Sequence, residues 1–169
     1  FIEGYYSGAE TQTTTLLNQG IQTCPDICDS IEVQLRDPIN FTTFYSNRCL
    51  MYTDGSIPCR MPQTSGFFYV VLKHRSAIET WSANAIQLLP PLTTYAFHIA
   101  STQAYGSNMP MLESGVFGLY SGDINQDGVI DGLDYNDWES DNNSFGAGYL
   151  NTDLNGDGIV DGLDFLFWE

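Results

Sequence analysis

A stretch of 17 residues occurs twice near the C-terminal end of the chain. Asp123–Glu139, DINQDGVIDGLDYNDWE, aligns without a gap on Asp153–Glu169, DLNGDGIVDGLDFLFWE; ten positions are identical, at a repeat of 30 residues. Each copy sets oxygen-bearing side chains at alternate positions of a 12-residue loop. A hard cation needs that arrangement to gather six to eight oxygen ligands from one short turn. In the first copy the predicted ligands are Asp123, Asn125 and Asp127 at positions 1, 3 and 5, the Val129 carbonyl at 7, Asp131 at 9 and Asp134 at 12. The second copy supplies Asp153, Asn155, Asp157, Ile159, Asp161 and Asp164 in the same roles. Gly128 and Gly158 at position 6 permit the sharp turn. The pattern predicts two bound Ca2+ ions. The apolar residues at position 8, Ile130 and Val160, are expected to meet in a short strand contact between the loops. From about position 9 each copy is expected to turn helical, carrying Leu133, Tyr135 and Trp138 or Leu163, Phe165 and Trp168.

Charge divides the chain in the same place. There are 21 acids and 5 bases, a formal net charge of −16. The bases, Arg36, Arg48, Arg60, Lys73 and Arg75, all precede residue 80, and the twelve acids from Gly122 onward have no base among them. A segment so charged repels itself if left bare. Its acids fall at fixed intervals between glycines and apolar residues, which points to metal and not to a solvated tail. Nucleic acid is disfavoured as a partner, since nothing offsets phosphate repulsion. No apolar run approaches the ~20 residues of a membrane-spanning helix. With no initiator Met before Phe1, the chain reads as a processed or trimmed piece.

Residues 1–121 read as a β-sandwich domain, and residues 122–169 as a second, calcium-binding module. Predicted strands are Phe1–Tyr6, Ser30–Arg36, Phe41–Thr53, Phe67–Arg75, Thr80–Leu89, Thr94–Ala100 and Gly115–Tyr120. Ile31, Val33 and Leu35 alternate with Glu32, Gln34 and Arg36, the period of a half-buried strand. Both faces of Phe67–Arg75 are largely apolar, which predicts a central strand. Asp37-Pro38, Asp54-Gly55 and Pro90-Pro91 mark turns. Several short strands at this spacing argue for a sandwich. The Lys73-His74-Arg75 cluster is expected in water at a strand end, and His98 packed or half-exposed on a strand. Four cysteines, Cys24, Cys28, Cys49 and Cys59, indicate disulfides and a secreted protein. Cys49 and Cys59 flank the Asp54-Gly55 turn, so the preferred pairing is Cys49–Cys59 with Cys24–Cys28; the other two connectivities stay open.

Asp in place of Glu at position 12, and a strand-like GVFGLYSG where an EF-hand has an incoming helix, make the duplicated segment resemble dockerin repeats. The resemblance covers residues 120–169. Dockerins use positions 10 and 11 to choose a cohesin partner, and the Gly-Leu pairs here (Gly132-Leu133, Gly162-Leu163) depart from the polar pairs of cellulosomal members. The phrases IEGYY, LLNQG, IEVQLRD, YVVLKHRSAIETWSA and QAYGSN, with GVFGLYSGDINQDGVIDGLD, resemble C-terminal regions of large secreted Bacteroidota-type proteins. In those, an immunoglobulin- or prealbumin-like β-sandwich leads into a dockerin-like calcium pair. The resemblance implies an extracellular, bacterial cell-surface location and a structural or attachment role without catalysis. Asp29-Ser30-Ile31 resembles a Bacteroidota O-glycosylation site at Ser30, and Asn40-Phe41-Thr42 is an N-glycosylation sequon at Asn40.

The expected function is therefore non-enzymatic: a calcium-stabilised extracellular structural or assembly protein. It would act by self-association into a fibre, with strand addition through FIEGYY, or by contact with another surface protein. An attachment tail of a larger protein is one alternative. A carbohydrate-binding module using Trp81, Tyr95 or Tyr105 is another. An enzyme is disfavoured, because the chain holds two histidines and no GxSxG, HExxH or phosphate-binding glycine loop.

Overall fold

Alternating apolar residues between turn formers give a mainly β structure, 32% strand against 17% helix. The computed structural model describes residues 1–62 and 64–168; Glu169, the last position of the repeat, lies outside the described residues. The elements are β1 (Tyr6–Gly8), β2 (Thr11–Gln12), α1 (Thr15–Asn18), β3 (Ile27–Arg36), β4 (Thr43–Tyr52), β5 (Gly66–His74), β6 (Ala77–Trp81), β7 (Ile86–Leu88), β8 (Met111–Glu113), β9 (Val116–Phe117) and α2 (Gly132–Asn143). Five strands form one antiparallel sheet, β4-β3-β5-β6, with β7 also on β5. Strand β6 pairs with the C-terminal half of β5, and β7 with its start, Gly66↔Leu88 to Phe68↔Ile86. As expected, β5 is central.

Period-two alternation decides which face is buried. Ile31 and Val33 of β3 and Leu72 of β5 join Ile2, Tyr5, Cys28, Met51, Ala77 and Leu119 in one core. The long β3–β4 hairpin, Ile27↔Tyr52 to Arg36↔Thr43, closes over Asp37, whose carboxylate accepts the Ile39 and Asn40 N–H groups at 2.8 and 3.1 Å. This Asx-type turn is why Asp37 sits there.

Opposite this face the regular pairing is limited to two ribbons, β1-β2 and β8-β9. Irregular chain covers the rest, and a largely apolar cleft of about 620 Å³ remains beside Leu35, Leu72, Ile86, Leu88 and Phe97. Several predicted strands are irregular. Thr94–Ala100 forms no strand, Thr80–Leu89 is split at Ser82–Asn84, and Gly115–Tyr120 pairs only over Val116–Phe117.

The N-terminal segment departs most from expectation. Within FIEGYY, Glu3–Tyr5 form a 3-10 turn, Ile2 bridges in parallel to Leu119, and Tyr6 opens the short strand β1. Ile2 and Tyr5 are core residues. An apolar segment that fills its own core is not a free edge, so strand addition through FIEGYY is withdrawn. The segment holds the two parts of the chain together instead. Gly4 N–H donates to Ser121 Oγ at 3.0 Å, and a Cβ on Gly4 would overlap the Leu154 carbonyl. Ile78 N–H and Gly122 N–H complete the junction, donating to the Tyr120 and Ser76 carbonyls.

The Cys49–Cys59 disulfide ties β4 to the chain returning from the Asp54-Gly55 turn. The expected Cys24–Cys28 bridge is not made. Cys28 points from β3 into the core, Cys24 sits half-buried in the preceding turn, and both are free. Burial pushes the Cys28 thiol up to about 12, so it stays protonated and unreactive. Of the glycosylation candidates, Asn40 is exposed in the hairpin turn and Ser30 is half-buried, facing Arg48.

Two outcomes follow. Thiol titration of unreduced, denatured protein should find two thiols per chain, and the native protein should lack the reactivity of Cys28; zero thiols on denaturation would establish a second bridge. Gly4→Ala should cost about 2–4 kcal/mol in denaturant unfolding, from overpacking against rigid backbone.

Candidate metal centre

The two repeats fold into loops with the same hydrogen-bond pattern. In each, the position-12 aspartate reaches back across the turn. Asp134 Oδ1 accepts from Ile124 and Asn125 N–H at 2.7 and 3.0 Å, and Oδ2 from Asp131 N–H at 2.9 Å. Asp164 repeats this with Leu154, Asn155 and Asp161 at 2.7, 3.1 and 2.8 Å. The reach is short, which suits Asp at this position. At positions 3 and 5, Asn125 Oδ1 accepts Asp127 N–H and Asp127 Oδ1 accepts Val129 N–H, at 2.8 and 2.9 Å; Asn155, Asp157 and Ile159 match at the same distances. Asp131 caps α2 through Leu133 N–H at 2.8 Å, and Asp161 likewise holds Leu163 N–H at 2.7 Å. Gly128 and Gly158 adopt φ of 89° and 90°, which the turn demands and only glycine takes freely.

Burial separates the ligand candidates into two kinds. Asp123, Asp134, Asp153 and Asp164 are at most 1% exposed, whereas Asp127, Asp131 and Asp157 face solvent. No buried loop aspartate forms a salt bridge among the described residues. Burial raises the Asp123 carboxyl, and the Asp134 charge adds to it. Burial, reinforced by Asp164, pushes Asp153 up to about 6. Asp164 is raised by burial as well. One oxygen, Asp123 Oδ1, is buried without any hydrogen-bond partner. Carboxylates crowded together and stripped of water are stabilised by a cation. The donor set, carboxylate, amide and carbonyl oxygen without thiolate or imidazole, suits a hard ion such as Ca2+. Among the described residues, no three His, Cys, Asp or Glu side chains converge as a ready cluster. The reason is visible in the bonds above: the carboxylates are turned onto loop N–H groups, and a third of the predicted donors are Asn or carbonyl oxygens. The residues fit a calcium pair, with the buried aspartates at positions 1 and 12 and the more exposed Asp127, Asp131, Asp157 and Asp161 as the remaining carboxylate donors.

The module has its own small core of Ile124, Trp138, Leu154 and Val160, edged by Tyr135, Leu150, Phe165, Phe167 and Trp168. Trp138 packs on Phe165 at 5.1 Å and donates to the Asp161 carbonyl at 3.2 Å, joining the two repeats. The exits differ. The first loop runs into α2, 12 residues long, and the second into a 3-10 turn over Asp164–Phe167. The expected strand contact between Ile130 and Val160 is absent: Val160 N–H donates to the Gly146 carbonyl, and Ala147 bridges Ile159. The linker between the repeats takes the place that the first loop was expected to hold.

Sequence reasoning missed the buried polar cluster where the module meets the sheet. His74 and Arg75, expected in water, are 2% exposed and side-chain 9% exposed, and they converge on the fully buried Asp29. Asp29 Oδ2 accepts from His74 Nε2 at 3.2 Å, Arg75 Nε at 3.3 Å and Tyr5 OH at 3.3 Å, and Oδ1 from Tyr149 OH. Arg75 also donates to the Leu150 carbonyl and lies over the Tyr149 ring at 4.1 Å. Burial alone would raise the Asp29 carboxyl; the hydrogen bond from His74 and the neighbouring positive charge override it and hold it at about 2. Burial lowers His74 despite its carboxylate partner, so the ring is neutral and donates through Nε2 while Ser76 Oγ, 3.2 Å away, serves Nδ1. His98, off any strand, is half-buried against Phe1 at 5.9 Å. Trp81 carries Arg36 on its ring at 4.6 Å. Tyr95 OH is bonded to the Gln103 carbonyl, and Tyr105 is exposed.

Comparison with protein-family models, curated proteins and solved structures finds no match.

The cluster sets an acid limb of stability. A depressed Asp29 contributes stability above its unfolded value near 3.9 and loses it as pH falls toward 2. A depressed His74 acts in the same direction below about 6.5. The shift of Asp29 alone corresponds to about 2 kcal/mol lost between pH 4 and 2. Urea unfolding across that range should show this loss in the wild type. Asp29→Asn should be destabilised by about 3–5 kcal/mol at pH 7, from stranding Arg75, and should have a flatter acid limb.

Proposed function

We propose that the chain is a non-enzymatic, calcium-fastened structural module of an extracellular bacterial protein, working through protein–protein contacts at the cell surface. The observation that carries the reading is the pair of matching loops, each burying two aspartates without a cationic partner. Asp123 to Asp134 would hold one ion and Asp153 to Asp164 the other, through the donors named above. When bound, the ions supply the positive charge that the acidic segment lacks. The Cys49–Cys59 disulfide agrees with an oxidising, extracellular compartment. The resemblance to dockerin repeats, and to a sandwich leading into them, belongs to this proposal and points the same way.

A catalytic reading gains nothing from the one triad-like arrangement present. Ser76, His74 and Asp29 are in hydrogen-bond reach in the order of a hydrolase triad, but Ser76 and Asp29 are fully buried and His74 is 2% exposed. Substrate has no access, and the histidine faces a structural arginine site. Sugar stacking on Trp81 is disfavoured because Arg36 already covers its ring and Phe41 and Tyr69 pack at its edges.

Attachment to another protein is favoured over a purely internal role by one feature of the module. Positions 7 and 11 of both repeats, Val129, Leu133, Ile159 and Leu163, are 55–58% exposed. Apolar residues exposed at equivalent places in a duplicated unit form a two-part face suited to a protein partner.

Isothermal titration of chelator-stripped protein should find two calcium sites. Each ion at a hundredfold excess over its dissociation constant should add about 2.7 kcal/mol of unfolding free energy. Asp134→Ala and Asp164→Ala should each remove one site. Absence of calcium binding, or a fold unmoved by chelation, would overturn the fastener reading. Leu133→Asp with Leu163→Asp should leave calcium binding intact and abolish partner or self-association in sedimentation.

A further inference from the structure

The two loops are alike within themselves but not in their surroundings. The first touches the sheet domain through Gln126, whose Nε2 donates to the Ala77 carbonyl of β6 at 3.3 Å, but it is open at its glycine turn, with nothing within 4 Å of the place a Cβ on Gly128 would take. The second is covered by α1 and its flanks. Asn18 Nδ2 donates to the Gly156 carbonyl at 3.0 Å. A Cβ on Gly156 would strike Thr15 Oγ1 and come within 2.9 Å of Thr13 and 3.0 Å of Tyr5. A Cβ on Gly158 would lie 3.3 Å from Gln19 Cγ.

This explains one difference between otherwise matched repeats. Position 4 is Gln126 in the first loop and Gly156 in the second, and both have positive φ, 62° and 74°. In the first loop the side chain has room and reaches β6; in the second α1 occupies its space.

The contact reaches the first ligand position. Gln19 Nε2 donates to Asp153 Oδ2 at 2.5 Å, the oxygen that also accepts Gly158 N–H at 3.1 Å. Asp123 has Gly128 N–H at 3.2 Å in the corresponding place and no side-chain donor from the sheet domain. Gln19 Oε1 is buried and has no hydrogen-bond partner among the described residues. A side chain that submits one buried polar atom unpaired to hold a carboxylate with the other is fixed by that carboxylate.

Resting on the calcium reading above, we propose that Gln19, at the end of α1, is a positioning residue of the second calcium loop, so that the second ion, and not the first, fastens the module to α1. Holding one oxygen of Asp153 fixes the direction of the other. Partners of this kind behind a ligand commonly change metal affinity 10–100-fold when removed. By linkage, an ion whose binding is strengthened by α1 strengthens the seating of α1 by the same factor.

The test uses the full chain with one loop disabled at a time. Asp127→Ala leaves the second site to be read, and Asp157→Ala leaves the first. Calcium titration calorimetry should show Gln19→Leu weakening the second site about 10–100-fold and leaving the first within a factor of two. Gln19→His, which keeps an N–H donor, should recover part of the loss. Equal weakening of both sites, or no weakening of the second, overturns the proposal. Amide exchange without any change at Gln19 gives an independent readout: calcium should protect residues 13–19 in the Asp127→Ala chain and not in the Asp157→Ala chain, and equal protection in both overturns it. If the unaltered chain binds no calcium, the underlying reading fails; if it binds two ions but the sites respond alike, only this inference does.

Discussion

Four aspartates with almost no exposed surface lie in a segment that contains no base. Burying an unpaired carboxylate is costly enough that such groups protonate, pair or bind metal. Protonation does not answer for Asp153, which at about 6 remains mostly charged at neutral pH. Pairing is absent among the described residues, because the nearest base, Arg75, is committed to Asp29. The loop N–H groups orient the carboxylates but bring no net charge. A bound cation, the proposed occupant, would bring it. Glycine at position 6 turns the chain, Asp at position 12 closes it, and Asp131 at position 9 also starts α2. The module's own core has four buried side chains, too few to fold a unit of this size unaided. Docking on the sheet domain supplies part of the remainder, and the ions, bound as proposed, would supply more.

Docking is built on the opposite solution to the same electrostatic problem. Asp29 is as buried as the loop aspartates, yet the protein provides its cation. Arg75 satisfies the carboxylate, stacks on Tyr149 and donates to the Leu150 carbonyl, so one guanidinium joins the sheet to the linker between the repeats. Lys would not serve here, since a planar fork is needed to reach three acceptors while lying on a ring. Tyr5, on the N-terminal turn, contributes its hydroxyl to the same cluster. The first and last thirds of the chain thus meet at a point that neither could close alone.

Short-range pattern was the legible part. The apolar run of β5, the Ile31–Val33–Leu35 face and the Cys49–Cys59 bridge rest on residues within one strand or ten positions apart, where spacing carries the signal. Long-range contacts were not legible. FIEGYY reads as a strand by composition and becomes a buried turn because Leu119 and Ser121 offer it partners 117 residues away. Lys73-His74-Arg75 reads as a wet strand end because its charges are visible in the sequence and the module that covers it is not. Cys24 and Cys28 are close in number, but Cys28 belongs to a strand facing the core, which turns it away. The one available signal for the docking surface was the Gln126-to-Gly156 difference between the repeats, where loss of a side chain in the second copy marks the space that α1 takes up beside it.

The arrangement of helices bears on what an ion in these loops could do. A calcium sensor works by swinging a pair of helices about each loop to uncover an apolar groove. Here no helix leads into the first loop, where the chain arrives as Leu119–Gly122 pinned between the N-terminal turn and β6. The second loop is preceded by an irregular linker that pairs with the loop itself and is followed by one 3-10 turn. With α2 the single long helix among the described residues, there is no helix pair to open. Binding energy released in the loops has only two places to go: into relieving the crowded aspartates, and into the contacts that Tyr149, Leu150 and Leu154 make with the sheet domain. Both would lower the free energy of the docked state, as the proposed fastener role requires.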